Sequence, residues 1–204
     1  QDSRKDSMTD TPNITDSHCH LDFESLAADL PGVIARASEA GVTRMVTICT
    51  RLKNEPSVRA IAEAHDPVFY AAGTHPMSAA EEPLTSVDEV LTLTRHPKMV
   101  GIGETGLDYH YTAESAEVQK TSLRIHIAAA RESGLPLIIH ARVADDDMAR
   151  ILREEHAQGA YSCVMPRFSI SAALAPAALE LGFYLSMSGI TAFPKSQELR
   201  DIFP

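Results

Sequence analysis

Short apolar runs alternate with amphipathic stretches at intervals of roughly 20–30 residues from Ile14 onward, and this alternation restricts the possible folds more than any other feature of the chain. Val42–Cys49, Val68–Thr74, Met99–Glu104, Leu137–His140, Ala160–Met165 and Phe183–Ser188 read as strands, after a first strand in the stretch Ile14–Phe23. Between them, Leu26, Leu30, Val33, Ile34 and Ala37 keep helical spacing, followed by helices over Ser57–His65, Val87–Thr94, Val118–Ser133, Asp145–Glu155 and Ala172–Leu181. A further helix begins at Ser196–Ile202. Gly41, Asp66-Pro67, His96-Pro97 and Gly134-Leu135-Pro136 punctuate the helix ends. Strands this short and this apolar belong in a parallel sheet covered by helices. Seven repeats predict an α/β chain of the (β/α) TIM-barrel type, incomplete at about seven of the eight strands such a barrel uses. The expected organisation is a polar, disordered leader over 1–13, with Met8 as an alternative start, and one barrel domain over 14–204 that lacks the last βα unit.

Composition narrows the class. With 44% apolar residues the chain can bury one substantial core, and 5% aromatic content with no Trp suits Ala-rich helices on Val/Ile strands better than a β-sandwich. A net charge of −10 argues against coating long nucleic acid through a broad basic face, although it leaves room for local action on a phosphodiester where cations invert the sign of a site. The three cysteines, Cys19, Cys49 and Cys163, are scattered and odd in number, which predicts reduced, buried thiols in a cytoplasmic protein. No apolar run reaches the roughly 18–20 residues of a membrane span, so no membrane partner is expected.

The chemistry gathers at strand ends. In Ile14–Phe23, alternation of faces puts His18 and His20 on one side about 7 Å apart and Cys19 on the other. Two such imidazoles can converge on one cation, or can simply be polar groups where a strand meets solvent. What favours the cation is that Glu104 ends the fourth strand, His140 ends the fifth and His75 follows the third, so that segments far apart in sequence deliver acid and imidazole groups to one rim. Imidazole with carboxylate suits Zn, Mn, Fe or Ni, with Mg possible where water and phosphate complete its shell.

Four segments in this order resemble the TatD-type metal-dependent deoxyribonucleases of the amidohydrolase-like barrels: Ser17-His18-Cys19-His20-Leu21-Asp22-Phe23, Gly73-Thr74-His75-Pro76, Gly103-Glu104-Thr105-Gly106-Leu107-Asp108-Tyr109 and Ile139-His140-Ala141-Arg142. The resemblance implies a (β/α) hydrolase that uses one or two divalent cations (Mg, Mn or Zn) to cleave phosphodiesters, with DNA or short nucleic-acid ends as substrate. It implies that His18 and His20 bind one metal, that Glu104 bridges, and that His140 binds the second. Glu104 and His140 would thus be catalytic, and His75 and Arg142 would face the substrate phosphate. Two features depart from the pattern. Pro166 stands where the family carries a metal-binding histidine after strand six, and a late Glu-Thr-Asp run is absent through residue 204. Proline has no lone pair to offer, and Arg167 beside it stays protonated. A fragment of a longer enzyme, a catalytically impaired metal-binding homologue, or Arg167 standing in for a second metal would each produce this departure. An amidohydrolase-like enzyme acting on a non-nucleic substrate is the alternative among enzymes. The oligomeric state is left open.

Other polar residues read as structural. His65, His96 and His156 lie near helix ends, His126 reads as a packed or surface residue of the long helix, and Asp145-Asp146-Asp147 is an acidic first helical turn. His110 is within reach of the rim, and Asp108 either orients a neighbouring ligand or caps a loop.

Overall fold

Parallel neighbours need a crossover between each pair of strands, and in this chain helices supply it. A computed structural model describes residues 13–165, 174–186 and 194. The elements are β1 (Ile14–Cys19), α1 (Glu24–Ala27), α2 (Leu30–Glu39), β2 (Val42–Cys49), α3 (Glu55–Ala64), β3 (Val68–Ala72), α4 (Val87–Leu93), β4 (Met99–Asp108), α5 (Ala116–Ser133), β5 (Leu137–Arg142), α6 (Asp145–His156), β6 (Cys163–Met165), α7 (Leu174–Glu180) and β7 (Tyr184–Leu185). Among the described residues the sheet runs β1-β2-β3-β4-β5-β6-β7, every neighbouring pair parallel. Sequential parallel order is the topology of a (β/α) barrel, here with seven strands described. Among the described residues no helix is long and apolar enough to cross a membrane.

The main core lies between the strands and their helices, where Tyr70, Ile102, Leu107, Ile139 and Met165 meet Val58, Val90, Leu123, Ile127, Met148 and Ile151. A small second cluster, Ile48, Ala71 and Ile138 with Val46, uses the opposite parity of β2, β3 and β5 and so fills the other face of the sheet. Both faces are therefore apolar, as the unbroken apolar runs predict.

Two elements differ from expectation. The single helix expected over Leu26–Ala37 is two, because the Asp29 carboxylate caps Gly32 N–H and Pro31 sits in the first turn of α2, which starts a new helix there. β4 runs on to Asp108 rather than stopping at Glu104. Gly106 makes this possible: its φ is +144°, and a Cβ there would lie 1.9 Å from the carbonyl oxygen of His140. Only glycine lets the two strands approach so closely, and the extended ladder pairs Gly106 with His140 and Asp108 with Arg142. Residues 1–12 of the leader, Pro166 and Arg167, the start of the helix expected from Ala172, the end of the strand expected to Ser188 and the stretch 196–202 lie outside the described residues.

This close approach is testable by contrast with Gly134, the left-handed cap of α5 (φ +75°), around which there is open space. Gly106→Ala is expected to cost about 3 kcal/mol or more through overpacking and strain, and Gly134→Ala about 1 kcal/mol, read from urea denaturation midpoints. Equal costs would contradict the packing described.

Candidate metal centre

The carboxyl ends of the strands bring the acid and imidazole groups together. His18 lies near the end of β1, His20 directly after it, and their rings stand 5.2 Å apart at 76°. Glu104 reaches the same point from β4, buried to 5% exposure, with Oε2 at 3.4 Å from His18 Nε2 and Oε1 at 3.5 Å from His140 Nδ1. Two groups of possible ligands result, His18/His20/Glu104 and His75/Glu104/His140, within each of which donor atoms lie within 4.8 Å of one another. Glu104 belongs to both. Burial alone would raise its carboxyl pKa, but His140 and His18 outweigh that and hold it below the ordinary carboxylate range.

His140 is oriented from behind. Its Nε2 stands 3.0 Å from Asp108 Oδ2, and this contact fixes the plane of the ring so that Nδ1 faces Glu104. Asp108 is itself fully buried, and its Oδ1 accepts the N–H groups of His110 and Tyr111 at 2.9 and 2.8 Å. Orienting a ligand and capping a loop, the two roles open to Asp108 from sequence, are thus carried by its two oxygens. Burial disfavours its charge, yet the Tyr111 N–H and His140 keep its carboxyl below the usual range.

His75 is a different kind of member. Its Nδ1 accepts the Met77 N–H at 3.3 Å, so the neutral ring carries its proton on Nε2. Burial pulls its pKa down to about 4 against the pull of Glu104, which keeps the ring neutral near pH 7. Held this way, His75 gives a proton to an acceptor and has no second lone pair for a cation. Its ring centroid lies 4.5 Å from that of His140.

The remaining set fits a divalent cation on its own chemistry. His18 Nδ1 and Asp22 Oδ1 are buried without a hydrogen-bond partner, and His18, His20, Glu104 and His140 combine imidazole nitrogen with one carboxylate, donors suited to Zn or Mn. Of these, His20, Glu104 and His140 line an open cavity of about 400 Å3 together with His75, Asp108, Phe23, Thr50, Arg51, Met77, Ser78, Tyr111 and Arg142. A neighbouring cavity of about 430 Å3 beyond Thr74, lined by Leu52, Lys53, Glu82 and Leu84 among others, contains none of the candidate ligands.

A family profile described as TatD-related DNase matches residues 15–204. The chain belongs to the TatD family. The metal-dependent hydrolase YcfH of Escherichia coli K12 is 37% identical over 191 residues, covering 92% of this chain and 71% of that protein. YabD of Bacillus subtilis, likewise named a metal-dependent hydrolase, is 35% identical over 187 residues, covering 92% and 73%. The crystal structure of YjjV, a TatD homologue from Escherichia coli K12, superposes with a TM-score of 0.84 at 29% identity over 93% of this chain and 73% of that one. As a TatD-family member the chain is a hydrolase of the metal-dependent kind, with seven parallel strands of a TIM-type barrel among the described residues.

Other sequence expectations sort cleanly. His110 is exposed, lies edge-on to Tyr111 and joins neither ligand group. Asp147 in the acidic turn pairs with Lys120 and Arg150, and His96 with Glu63. Cys49 and Cys163 are buried and Cys19 half-buried; all three are free, and burial pushes the Cys19 and Cys49 thiols up to about 12, which leaves them unreactive.

Two residues of α5 support the site from behind: Gln119, which the sequence reading missed, and His126, which it read as packed or at the surface and which is packed. Gln119, fully buried, accepts the Asp108 N–H at 2.8 Å and donates to the Asp108 and Thr112 carbonyls. His126, also fully buried, donates from Nδ1 to the Ser122 carbonyl and accepts the Thr74 N–H on Nε2, one residue before His75. Their signal is a polar residue on the apolar face of a helix, whose purpose shows only when the strand behind it is known.

Glu104→Gln is expected to weaken binding of Mn2+ or Zn2+ by about 100-fold or more, and His110→Ala to leave it unchanged, by isothermal titration calorimetry; equal affinities in all three proteins would contradict the centre. His126 makes a separate expectation. Burial lowers its pKa from 6.5 to about 4, so the folded ring refuses a proton that the unfolded chain accepts. Stability is full above pH 6.5 and falls as pH drops toward about 4, by on the order of 3 kcal/mol. Urea midpoints across that window should decline more steeply in the wild type than in His126→Gln; coincident slopes would refute the assignment.

Proposed function

We propose that this TatD-family chain hydrolyses phosphodiester bonds in DNA, acting on short or single-stranded ends, with one or two divalent cations (Mg, Mn or Zn) held by His18, His20, Glu104 and His140. The observation that carries the reading is one buried carboxylate shared between two imidazole groups, inside a pocket whose rim carries Arg51 and Arg142 in a chain of net charge −10. Arg51 is paired with Glu81, so Arg142 is the rim cation that, with a cation bound at Glu104, would grip an anionic substrate locally over a few nucleotides. The free, high-pKa thiols support a reducing, cytoplasmic setting.

Bound to these donors, a divalent cation supplies Lewis acidity toward a phosphoryl oxygen and eases the ionisation of water. The chain's own residues do the rest. Asp108 holds the His140 ring in one orientation and supports its basicity through the 3.0 Å contact. Arg142 is exposed at the end of β5 and carries a permanent charge whose fork matches two phosphate oxygens. His75, neutral and protonated on Nε2, donates to the same phosphoryl group. Glu104 keeps its negative charge at neutral pH and so remains a ligand across the working range.

The test compares turnover of a single-stranded DNA oligonucleotide with that of a panel of cyclic amides and esters, before and after chelation and restoration of Mn2+. DNA cleavage that requires the cation is expected, and Arg142→Ala should lower kcat/KM by about 10–100-fold, the worth of a charged hydrogen bond. Turnover of an amide or ester with DNA untouched would favour the non-nucleic substrate instead. Metal binding with turnover of nothing would mark an impaired homologue.

A further inference from the structure

The pocket holds more exposed aromatic surface than catalysis requires. Of the three exposed large aromatic side chains among the described residues, Phe23, Tyr111 and Tyr184, two line this one cavity. Phe23 is 53% exposed and Tyr111 55%, in a chain with only 5% aromatic residues. Leaving such rings in water is costly, and their gathering at one mouth marks a contact surface.

They come from different loops. Phe23 follows His20 in the turn after β1 and lies parallel on its ring, with centroids 4.6 Å apart and planes 10° from parallel. That contact fixes the plane of Phe23 while leaving half of its surface open. Tyr111 stands in the turn after β4, where Asp108 Oδ1 holds its backbone N–H, and the Arg142 guanidinium packs over its ring at 4.6 Å from the centroid. Met77, 40% exposed, adds a third apolar group to the same lining. Two rings, one stacked on His20 and one beneath Arg142, leave room in about 400 Å3 for a flat apolar group attached to a phosphate.

We infer that Phe23 and Tyr111 are stacking platforms for unpaired nucleobases on either side of the phosphate that is cut, and that they set the preference for single-stranded over base-paired DNA. This rests on the phosphodiesterase reading and names the substrate feature that the same site selects. A base inside a duplex hides both faces in the stack, whereas a frayed or single-stranded base offers them. A sugar ring also stacks on aromatic faces, but it brings no anion for Arg142. Stacking also explains why an acidic chain needs no wide basic face: base–ring contacts supply affinity that phosphate neutralisation does not.

The test uses two substrates, a DNA tetranucleotide and the same tetranucleotide with abasic residues flanking the central phosphate, and reads the ratio of their kcat/KM values. The wild type is expected to favour the base-bearing substrate by about tenfold or more. Tyr111→Leu and Phe23→Leu should each shrink the ratio to about threefold or less, while Tyr111→Phe and Phe23→Trp preserve it. The ratio is insensitive to damage at the centre, because a weakened ligand slows both substrates alike. A second readout needs no turnover: 2-aminopurine placed beside the central phosphate should be quenched on binding to chelator-treated wild type and much less by the leucine variants. Cleavage of both substrates at equal rates, or quenching unchanged in Tyr111→Leu, would overturn the platforms and leave the hydrolase reading intact. Quenching lost in the leucine variants with no DNA cleaved by the wild type would do the reverse.

Discussion

A buried carboxylate facing imidazoles from two sides is the constraint around which the rest of this protein is arranged. Glu104 has almost no access to water, so its charge must be matched by neighbouring groups or by a bound cation. His18 and His140 approach its two oxygens from different strands, at 3.4 and 3.5 Å. That requires β1, β4 and β5 to bring residues 18, 104 and 140 to one level, and the parallel sheet with sequential order provides it. If the strands were shifted by a residue, alternation would turn these side chains to the opposite face.

The support behind the centre is as specific as the centre itself. Asp108 restrains His140, Gln119 restrains the backbone of Asp108, and His126 restrains the backbone leading into His75. Gln119 and His126 both stand on α5, which packs against β4. One helix thus secures two of the loops that carry functional side chains, through buried polar groups whose hydrogen-bonding capacity is used. Such a network tolerates little displacement, and small losses at α5 are transmitted to groups that never touch it.

Much of this was legible in the chain before folding. His18 and His20 share a face because strands alternate, and Glu104, His75 and His140 end or follow apolar runs, so their gathering at one rim follows from the pattern, while their separate roles were what the family resemblance implied. The full length of β4 was not legible. Gly103-Glu104-Thr105-Gly106 carries the composition of a turn, and only the nearness of the His140 carbonyl reveals that Gly106 belongs to a strand. The break between α1 and α2 was written in Asp29 and Pro31, an N-cap and a first-turn proline, but the regular apolar spacing across it read as one helix. The proton on His75 depends on a backbone N–H two residues on, and the placing of Phe23 and Tyr111 at a common cavity depends on loops from opposite parts of the sheet. Neither relation leaves a local trace.

The TatD family supplies the chemical class, and this chain's own residues supply the particulars: a shared carboxylate, a protonated Nε2 on His75, and exposed aromatic rings at the mouth of the same cavity. All of these presuppose that the buried charge of Glu104 is there to hold a cation. Anomalous diffraction from crystals grown with Zn2+ or Mn2+ tests this most directly. A peak is expected within about 2.0–2.2 Å of a Glu104 oxygen and of a nitrogen of His18 or His20. Crystals that show the ion elsewhere, or not at all, while Glu104 keeps its contacts with His18 and His140, would contradict the centre.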